Sequence, residues 1–408
     1  MKILLINHFP LAGSGSGTYT KNLAVTLADR GHQVSIVLPE NTGDYERIPG
    51  VRLIPVYFTP EDGSSAPAGA LPFNFPCFTT HPRSTFSFGD MTGEEMEAYL
   101  RAFRSVIADE IEGSRPDVIH GQHVWILPSL AIGLGVLLVL TAHGTDLMGY
   151  DRWPELRHYA EDAVEAAEAV ISISKDNCAL LEERFPDAAD KILMMRNGYD
   201  PKVFFRENPE RDAVLGAYGV SPEEYKGRKI VTFAGKLTNA KGVDVLLEAV
   251  KLYEAKEPRT LTLIVGDGEE MVALRKQADE LGVKSVRFLG NVNQGSLRRI
   301  YSVSDMDVVP SRKEAFGLVA LEAMACGLPV VASEVGGLPD FVNGDVGALV
   351  PPEDAAALAD AIMSVLRRID AEGDAWCRDI MRYANDNYAQ DRIIHELEEL
   401  YERVSRTW

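Results

Sequence analysis

Two glutamates in the second half of the chain have the spacing and surroundings of ligand-binding residues. Glu314 stands in a polar, glycine-containing stretch, and Glu322 follows it with seven residues between them. The stretch around Glu322 is rich in helix formers, and in a helix its three- and four-residue neighbours would form an apolar face. These neighbours are Leu318, Val319, Ala325 and Cys326. A carboxylate on such a face is costly unless something pairs with it, which favours a functional role over a surface glutamate that reaches out to water.

A glycine-rich turn follows the first apolar segment of the chain. It reads HFPLAGSGSG and carries Gly13, Gly15 and Gly17 just before a predicted helix. Backbone N–H groups in such a turn can approach a phosphate at the helix N-terminus. The strict G-x-G-x-x-G fingerprint fails, because Thr18 and Thr20 occupy the positions that its third glycine needs. A phosphate contact and a flexible surface turn are therefore both compatible with the sequence.

Two lysines and a histidine also lie where predicted strands end. Lys236 and Lys241 stand in a loop that leads into a helix, where a diphosphate would gain their charges and the free N–H groups. His143 follows an apolar strand, at the end where open α/β sheets bind ligands. From the local sequence alone, it is equally possible that the two lysines are ordinary surface residues and that His143 is a structural histidine.

The elements that must position these residues alternate between strand and helix. The predicted strands are 2–6, 33–38, 117–120, 137–141, 169–173 and 194–196, and then 229–234, 260–265, 286–289, 306–309 and 330–332. The predicted helices are about 18–29, 92–112, 154–168, 243–255, 269–281, 294–304, 318–326, 354–369 and acidic helices after 373. A break rich in proline and glycine near 198–228 separates two such series, which predicts two doubly wound α/β domains with parallel sheets. If they face each other, their strand ends meet in a central cleft.

Two segments do not fit the alternation. Residues 41–91 are rich in Pro, Gly, Ser, Phe and Thr, which predicts short strands and a long irregular loop. Residues 125–142 are apolar but interrupted by proline and glycine, so we interpret them as a buried helix followed by a buried strand rather than a membrane span.

The composition excludes some classes of partner. The 408 residues include 41 basic and 61 acidic side chains, for a net charge of -20. Such a field repels nucleic acid and disfavours stable association with an anionic membrane. The four cysteines are far apart and lack metal-ligand spacing, which indicates a reducing compartment. With no cleavable signal evident at the N-terminus, we expect a cytoplasmic protein.

Several motifs together resemble one enzyme family. The stretch EAFGLVALE, from Glu314 to Glu322, resembles the E-x7-E motif of retaining glycosyltransferases of family 4, which have the GT-B fold. GKLTNAKG at 235–242 is similar to that family's G-R-L-x-x-x-K-G, with Lys236 in place of the arginine. LIVGDGEE, RFLGNV, MACGLPVVASEVGG, PDVIH, TAHGTD, ISISK and NGYDP all follow in family order. The resemblance spans the chain apart from 60–91.

The resemblance implies a domain organisation and a reaction. Residues 1–200, together with a crossover helix within 388–408, would bind the acceptor, and 201–387 would bind a nucleotide diphosphate sugar. The sugar would pass to an acceptor hydroxyl with retention, without metal or other cofactor. The acceptor would attack from the face that the leaving group vacates, and its proton would go to the departing phosphate oxygen.

The resemblance also implies roles for individual residues. Glu314 would hold a donor-sugar hydroxyl, Glu322 the two ribose hydroxyls, and His143 the sugar near its exocyclic carbon. Lys236 and Lys241 would neutralise the diphosphate, although a lysine lacks the bidentate fork of the family arginine. Further donor-binding residues would be Gly15, Gly17, Gly235, Gly266, Asn291, Phe316, Gly317, Leu318 and Val319.

The acceptor would dock on the first domain, near 13–19, 75–88 and 120–123. The candidate acceptor-binding residues are Tyr19, His81, Arg83, His120 and Asp146. We expect a UDP-sugar donor and a soluble small-molecule or sugar acceptor, with a GDP-mannose-dependent mannosyltransferase acting on a glycan or lipid-linked acceptor as the alternative. A nucleotide-sugar epimerase, a non-catalytic binding module and a homodimer are also left open.

Overall fold

The structure, a computed structural model, describes residues 1–79, 81–257 and 259–406. The chain divides into two compact units: Met1–Arg196 together with the chain from Ile394 onward, and Asn197–Ile393. The 75–88 stretch predicted to dock the acceptor includes residue 80, which lies outside the described residues.

The first unit is built on a seven-stranded, all-parallel sheet. Its strands are β1 (Lys2–Ile6), β2 (Gln33–Glu40), β3 (Val51–Tyr57), β4 (Val118–Gly121), β5 (Leu137–Ala142), β6 (Ala169–Ser172) and β7 (Ile192–Met194). Their order across the sheet is β3-β2-β1-β4-β5-β6-β7, so the direction of winding reverses between β1 and β4. Strands such as LLVLTA are buried along their whole length, as expected when helices cover both faces of a parallel sheet.

Within the described part of Met1–Arg196, six α-helices accompany the sheet. They are α1 (Gly15–Asp29), α2 (Gly93–Ser114), α3 (Ile126–Ser129), α4 (Thr145–Arg152), α5 (Arg157–Ala166) and α6 (Lys175–Arg184). Two separate apolar cores lie on the two faces of the sheet. The doubly wound arrangement predicted from the alternation is therefore confirmed for this half.

The second unit repeats the design with six parallel strands. They are β8 (Lys229–Ala234), β9 (Thr260–Val265), β10 (Val286–Gly290), β11 (Met306–Val309), β12 (Val330–Ser333) and β13 (Gly347–Val350). The order β10-β9-β8-β11-β12-β13 reverses between β8 and β11. Its helices are α7 (Arg211–Gly216), α8 (Pro222–Tyr225), α9 (Val243–Lys256), α10 (Met271–Leu281), α11 (Gln294–Val303), α12 (Leu318–Ala325), α13 (Ala355–Glu372) and α14 (Asp374–Tyr388).

Some element bounds differ from the prediction. Helix α1 begins at Gly15 rather than near 18, because Ser14 caps it by accepting a hydrogen bond from the Gly17 N–H. The helix expected at 154–168 is a 3-10 turn at Pro154–Leu156 followed by α5, and α4 before it was not anticipated. The strand expected at 194–196 lies at Ile192–Met194, where it pairs with β6. Strand β13 was also missed.

The last helix, α15 (Gln390–Arg406), packs on the first unit. Its apolar residues recur every three or four positions, which gives one buried stripe. Ile394, Leu397, Leu400 and Tyr401 join the core formed by α1 and by one face of β1 and β2.

A charged contact anchors this helix at the edge of its stripe. The Glu398 carboxylate accepts hydrogen bonds from Arg30 at 2.8 and 2.6 Å, and it lies 2.8 Å from Nε2 of His32. The Arg30 hydrogen bonds, followed by that of His32, lower the pKa of Glu398 to about 2. This carboxylate therefore stays ionised far into the acid range.

The segment at 125–142 forms α3 and β5, as interpreted from the sequence. No helix within the described residues combines the length and apolar character needed to cross a membrane. Cys77 and Cys326 are buried, whereas Cys178 and Cys377 are only partly buried, and none of the four forms a disulfide.

We predict that Glu398→Ala lowers the free energy of unfolding by about 1–2 kcal/mol at neutral pH, because a charge-assisted pair of hydrogen bonds is lost. Since the folded pKa lies below the ordinary value, this stabilisation should be present above about pH 4.5 and fade as the pH falls toward 2. Urea unfolding at several pH values measures it, with the exposed Glu399→Ala on the same helix as control. Equal losses in both variants would contradict the prediction.

Candidate functional site

A close backbone approach joins two loops at the carboxyl ends of β8 and β11, where the winding of the second sheet reverses. Gly242 has a φ of +64°, and a Cβ on it would lie 2.0 Å from the carbonyl oxygen of Pro310. Any other residue would therefore force the loops apart. The amides of Arg312 and Lys313 also donate to the carbonyl oxygen of Ala240, at 2.8 and 3.2 Å.

The side chain of Arg312 holds the same two loops together. Its guanidinium donates to both carboxylate oxygens of Asp244 at 2.8 and 2.6 Å, and to the carbonyl oxygen of Asn239 at 2.8 Å. Glu353 accepts from its Nε at 2.8 Å. Burial raises the pKa of Asp244, but the hydrogen bonds from Arg312 outweigh it and leave the pKa below its usual value. The planar guanidinium is suited to this forked contact.

The joined loops bring Lys241 and Glu314 into an ion pair. Lys241 Nζ lies 2.6 Å from Glu314 Oε2, and Ser311 Oγ donates to the same oxygen at 3.4 Å. Only 11% of the Glu314 side chain is exposed, and 27% of that of Lys241. The backbone of Glu314 is fixed by Gly336, where a Cβ would lie 1.5 Å from the Glu314 carbonyl oxygen. Lys241 and Glu314, which were predicted from two separate motifs, are therefore in direct contact.

Helix α12 begins directly beyond this pair. Its N-cap is Gly317, which has a φ of +98° and provides no side-chain cap. The Ala320 N–H donates to the Gly317 carbonyl oxygen at 3.0 Å, whereas the N–H groups of Leu318 and Val319 have no partner among the described residues and can donate to another group. Phe316 is buried and its ring lies 5.3 Å from that of Phe341, while Leu318 and Val319 are half-buried.

Glu322 lies one turn along α12 and has an unusual environment. Its side chain is half-buried, yet protein atoms surround the carboxyl, and this burial raises the pKa of Glu322 to about 8. The neighbouring Asp307 in β11 is completely buried, and neither of its carboxyl oxygens has a hydrogen-bond partner among the described residues. Burial, with a smaller contribution from Glu322, raises the pKa of Asp307 well above its ordinary value. The surroundings of Asp307 therefore favour the protonated form of its carboxyl.

The other predicted donor residues lie on adjacent loops of the same sheet edge. The loops after β8 and β9 pack so closely that a Cβ on Gly266 would lie 1.8 Å from the carbonyl oxygen of Gly235. The Gly266 N–H also donates to the carbonyl oxygen of Gly290 at 2.8 Å. Lys236 is half-buried and Asn291 is exposed.

In the first unit, the glycine-rich turn follows the carboxyl end of β1, where the strand order of the first sheet reverses. Gly17 passes so near Pro10 that a Cβ would lie 2.3 Å from its carbonyl oxygen, whereas nothing surrounds Gly15 within 4 Å. Gly13, with a φ of +98°, packs against His81. The turn is thus held rigidly at Gly13 and Gly17 and is open at Gly15.

Three histidines follow β1, β4 and β5 and form a continuous row of rings. The ring centroids of His8 and His123 lie 5.3 Å apart, and those of His123 and His143 lie 5.2 Å apart. Tyr19 on α1 extends the row, with its ring 5.1 Å from that of His143. Burial lowers the pKa of His8 and His143 to about 3 and that of His123 well below its ordinary value. All three imidazoles are therefore neutral at physiological pH.

Several polar atoms in and around this row have no partner among the described residues. They are Nδ1 of His8, both ring nitrogens of His123, Nε2 of Gln122, Nε1 of Trp125 and Oδ1 of Asn7. All five side chains are buried. Leaving a buried donor or acceptor unpaired costs about 1–3 kcal/mol, so these atoms are suited to bind water or the hydroxyls of a ligand. The low pKa values of the rings mean that they present no positive charge to an anion.

Some of the predicted acceptor-binding residues already use their polar groups in hydrogen bonds or ion pairs within the protein. Arg83 makes a bidentate pair with Glu40 at 2.8 and 3.1 Å. His120 contacts Tyr401 and Thr141 through its two ring nitrogens, at 2.6 and 2.7 Å, which leaves neither for a ligand.

Two of the remaining acceptor candidates are engaged with the backbone. His81 Nε2 lies 3.0 Å from the carbonyl oxygen of Ala12, and its Nδ1 accepts from the Arg83 amide at 3.1 Å. Asp146 accepts backbone N–H groups of Val124 and Leu147 at 2.9 and 3.1 Å. Burial nevertheless raises the pKa of Asp146 to about 6. Tyr19, which is half-buried beside His143, is therefore the best placed of the five to contact a ligand.

The sequence did not single out Arg312 or Asp307, and it indicated His123 only as the end of the 120–123 stretch. No three His, Cys, Asp or Glu side chains within the described ranges are grouped so that they could hold a metal ion. The independence of metal stays a prediction.

Comparison with known proteins adds independent findings. A family model described as "Glycosyltransferase Family 4" matches residues 13–203, and one described as "Glycosyl transferases group 1" matches residues 220–372. A D-inositol 3-phosphate glycosyltransferase of Saccharomonospora viridis is 32% identical over 382 residues, covering 87% of this chain and 81% of that protein.

Solved structures resemble the whole chain. Sucrose-phosphate synthase from Thermosynechococcus elongatus has a TM-score of 0.74 at 24% identity and covers 100% of both chains. HepE from Anabaena, in complex with UDP-glucose, has a TM-score of 0.73 at 19% identity and covers 99% of this chain and 100% of its own.

We predict that Glu322→Gln stabilises the ligand-free protein at pH 8 by about 1–2 kcal/mol, because it removes a carboxylate whose charge is unfavourable in these surroundings. The gain is limited because the side chain is only half-buried and part of it contacts solvent. The raised pKa of about 8 means that the folded chain holds a proton that the unfolded chain has lost. Stability should therefore fall between about pH 4.5 and 8 in the wild type, but less in the variant. Thermal unfolding across this range tests it, with the exposed Glu248→Gln as control; parallel profiles for wild type and Glu322→Gln would refute it.

Proposed function

The chain belongs to the group 1 glycosyltransferases of family 4, and from this premise we propose that it transfers a sugar from a UDP-sugar to a hydroxyl of a sugar or other small polyhydroxy acceptor, with retention at the anomeric carbon. Its two doubly wound units with parallel sheets have the GT-B fold. The observation that carries the proposal is the Lys241–Glu314 pair, which lies at the reversal point of the second sheet beside the helix of Glu322.

The second unit offers the groups that a nucleotide diphosphate sugar requires. Glu314 would accept hydrogen bonds from sugar hydroxyls, and Lys241 and Lys236 would bind the diphosphate. The N–H groups of Leu318 and Val319, in the first turn of α12, would add hydrogen bonds at the positive end of the helix. Glu322 would accept the two ribose hydroxyls, which gives a reason for placing a carboxyl in surroundings that raise its pKa.

The reaction needs no side chain as nucleophile in this proposal. The acceptor oxygen bonds to the anomeric carbon as the bond from that carbon to the diphosphate oxygen breaks, on the same face of the sugar. The acceptor proton passes to the departing phosphate oxygen, so the products are a glycoside and a nucleoside diphosphate. Lys236 and Lys241 stabilise the negative charge that develops on the leaving group, and no metal ion is invoked.

The first unit offers complementary groups for hydroxyls. His143 is neutral, so it can donate or accept a hydrogen bond to a sugar hydroxyl without attracting the diphosphate. The unpaired groups of Gln122, His123 and Trp125 include both donors and acceptors, a mixture that hydroxyls can satisfy and a phosphate cannot. The guanidinium of Arg83, a predicted acceptor-binding residue, is already paired with Glu40. We therefore infer an uncharged polyhydroxy acceptor.

Two similar proteins agree in part with this proposal. HepE has been solved in complex with UDP-glucose, which supports a UDP-sugar as donor. The relative from Saccharomonospora viridis is named for a phosphorylated inositol, so our inference of an uncharged acceptor sets this chain apart from it.

Donor turnover provides the first test. Incubation with UDP-, GDP- and ADP-sugars, with and without a panel of acceptors, should release nucleoside diphosphate from UDP-sugars in an acceptor-dependent way. Lys241→Ala should lower kcat by at least about a hundredfold, because leaving-group charge loses its stabilisation. Lys251→Ala, an exposed lysine on the following helix, is the control. Release from no donor would remove the transferase proposal, and epimerisation without acceptor would favour an epimerase.

Nucleotide affinity tests the role of Glu322 separately. Calorimetry with UDP should give a dissociation constant raised about tenfold or more in Glu322→Ala, because charge-assisted hydrogen bonds to the ribose are lost. Wild-type affinity should strengthen as the pH rises through 8, where the carboxyl ionises. An unchanged affinity in Glu322→Ala would remove its ribose role.

Acceptor specificity tests the histidine row. His123→Phe keeps an aromatic ring of similar size but removes both ring nitrogens, and it should raise the acceptor KM about tenfold while UDP affinity stays constant. Neutral sugars and polyols should be used in preference to their phosphates. A preference for the phosphorylated compounds, or an unchanged KM, would refute the inferred acceptor class.

A further inference from the structure

A second concave site lies at the opposite edge of the second sheet. A cavity of about 750 Å³ is bounded by residues at or just before the amino ends of three strands: Lys229 at β8, Arg259 before β9 and Asp305 before β11. One side of α13, including Met363 and Leu366, completes it. Lys241 and Glu314 follow the carboxyl ends of β8 and β11, so the cavity is distinct from the candidate donor site.

The cavity is basic in a strongly acidic chain. Six basic and four acidic side chains line it, whereas the whole chain carries a net charge of -20. Each of the four acids is engaged with a lining cation. Lys229 pairs with Asp370 at 2.8 Å and lies 3.7 Å from Asp305, and Lys256 pairs with Asp360 at 3.4 Å. Arg259 pairs with Glu257 at 3.3 Å, and Arg211 lies 3.6 Å from Asp305. The excess positive charge therefore resides on other side chains.

Two arginines carry this excess. The guanidinium of Arg228 donates to the carbonyl oxygen of Thr260 at 3.3 Å and makes no ion pair with any described residue. Within the described part of the chain, no ion pair involves Arg367 on α13 either. A guanidinium presents a planar fork that matches phosphate and carboxylate geometry, and it is less strongly hydrated than an ammonium group. Two such groups line one concavity, where both can contact the same anion.

The remaining features suit a small organic anion better than a bare ion. The volume falls within the range of about 300–1,000 Å³ that is typical of small-molecule sites. Met363 and Leu366 supply an apolar surface for the carbon skeleton of a ligand. The ion-paired lysines and acids of the lining can contact hydroxyl groups.

We propose that this cavity binds a small phosphorylated molecule, whose phosphate is held by Arg228 and Arg367. The site does not depend on the proposed transferase activity, and a ligand there would stabilise the second unit from the edge opposite to the donor groups. Its expected occupants are compounds of the size of a sugar phosphate or a nucleoside monophosphate.

Binding of three probes tests the proposal: glucose 6-phosphate, AMP and inorganic pyrophosphate, measured by calorimetry and by thermal unfolding of the full chain. In the double variant Arg228→Gln/Arg367→Gln, the dissociation constant should rise about tenfold for each guanidinium removed, because a charge-assisted contact is lost each time. Glutamine can still donate to Thr260, and Arg367 is exposed, so the variant should keep the wild-type unfolding temperature without ligand.

Two controls separate this site from others. Lys236→Ala/Lys241→Ala should keep the affinity of the cavity for the preferred probe, because it alters only the candidate donor site. Arg299→Gln/Arg378→Gln removes two exposed arginines elsewhere in the same unit and should also bind normally. The proposal is overturned if no probe binds the wild type, if affinity persists in Arg228→Gln/Arg367→Gln, or if either control loses it equally.

Discussion

The approach of Gly242 to the carbonyl oxygen of Pro310 is the contact on which the arrangement of the second unit depends. It is possible only for glycine, and it sets the spacing of the loops that follow β8 and β11. Arg312 then ties the loops with side-chain and backbone hydrogen bonds, so that Lys241 reaches Glu314. A cation and a carboxylate placed in this way are ready for a ligand, since little side-chain entropy remains to be lost.

Both units contain buried polar groups for which the described residues offer no partner. Asp307 lies in a central strand of one sheet, and His123 follows a central strand of the other. A protein selected for stability alone would replace such groups with apolar side chains. His123 follows the carboxyl end of a strand at the reversal point of its sheet, where this architecture binds ligands. Its unpaired nitrogens are therefore best explained by ligand binding rather than by stability.

The fold and part of the candidate site could be predicted from the sequence. Apolar runs of four to six residues between helical segments were enough to identify most strands, and the glutamate spacing led to Glu314 and Glu322. Arg312 and Asp307 lie within or next to the same motif but were not recognised, because pairing and burial are tertiary properties. Arg83 and His120 looked available in the sequence for the same reason, whereas the fold pairs them with Glu40 and Tyr401. Strand β13, GALV, is too short and too rich in small residues to differ from a loop.

The distribution of the four thiols has a practical consequence. Cys77 and Cys326 are buried, and burial raises the pKa of Cys326 to about 12, so neither is suited to react with an electrophile in the folded state. Cys178 and Cys377 are partly accessible, and one lies in each compact unit. The natural chain therefore already provides one attachment point per unit for a fluorescent or spin label. Resonance energy transfer or dipolar spectroscopy could follow the two units during turnover without an engineered cysteine.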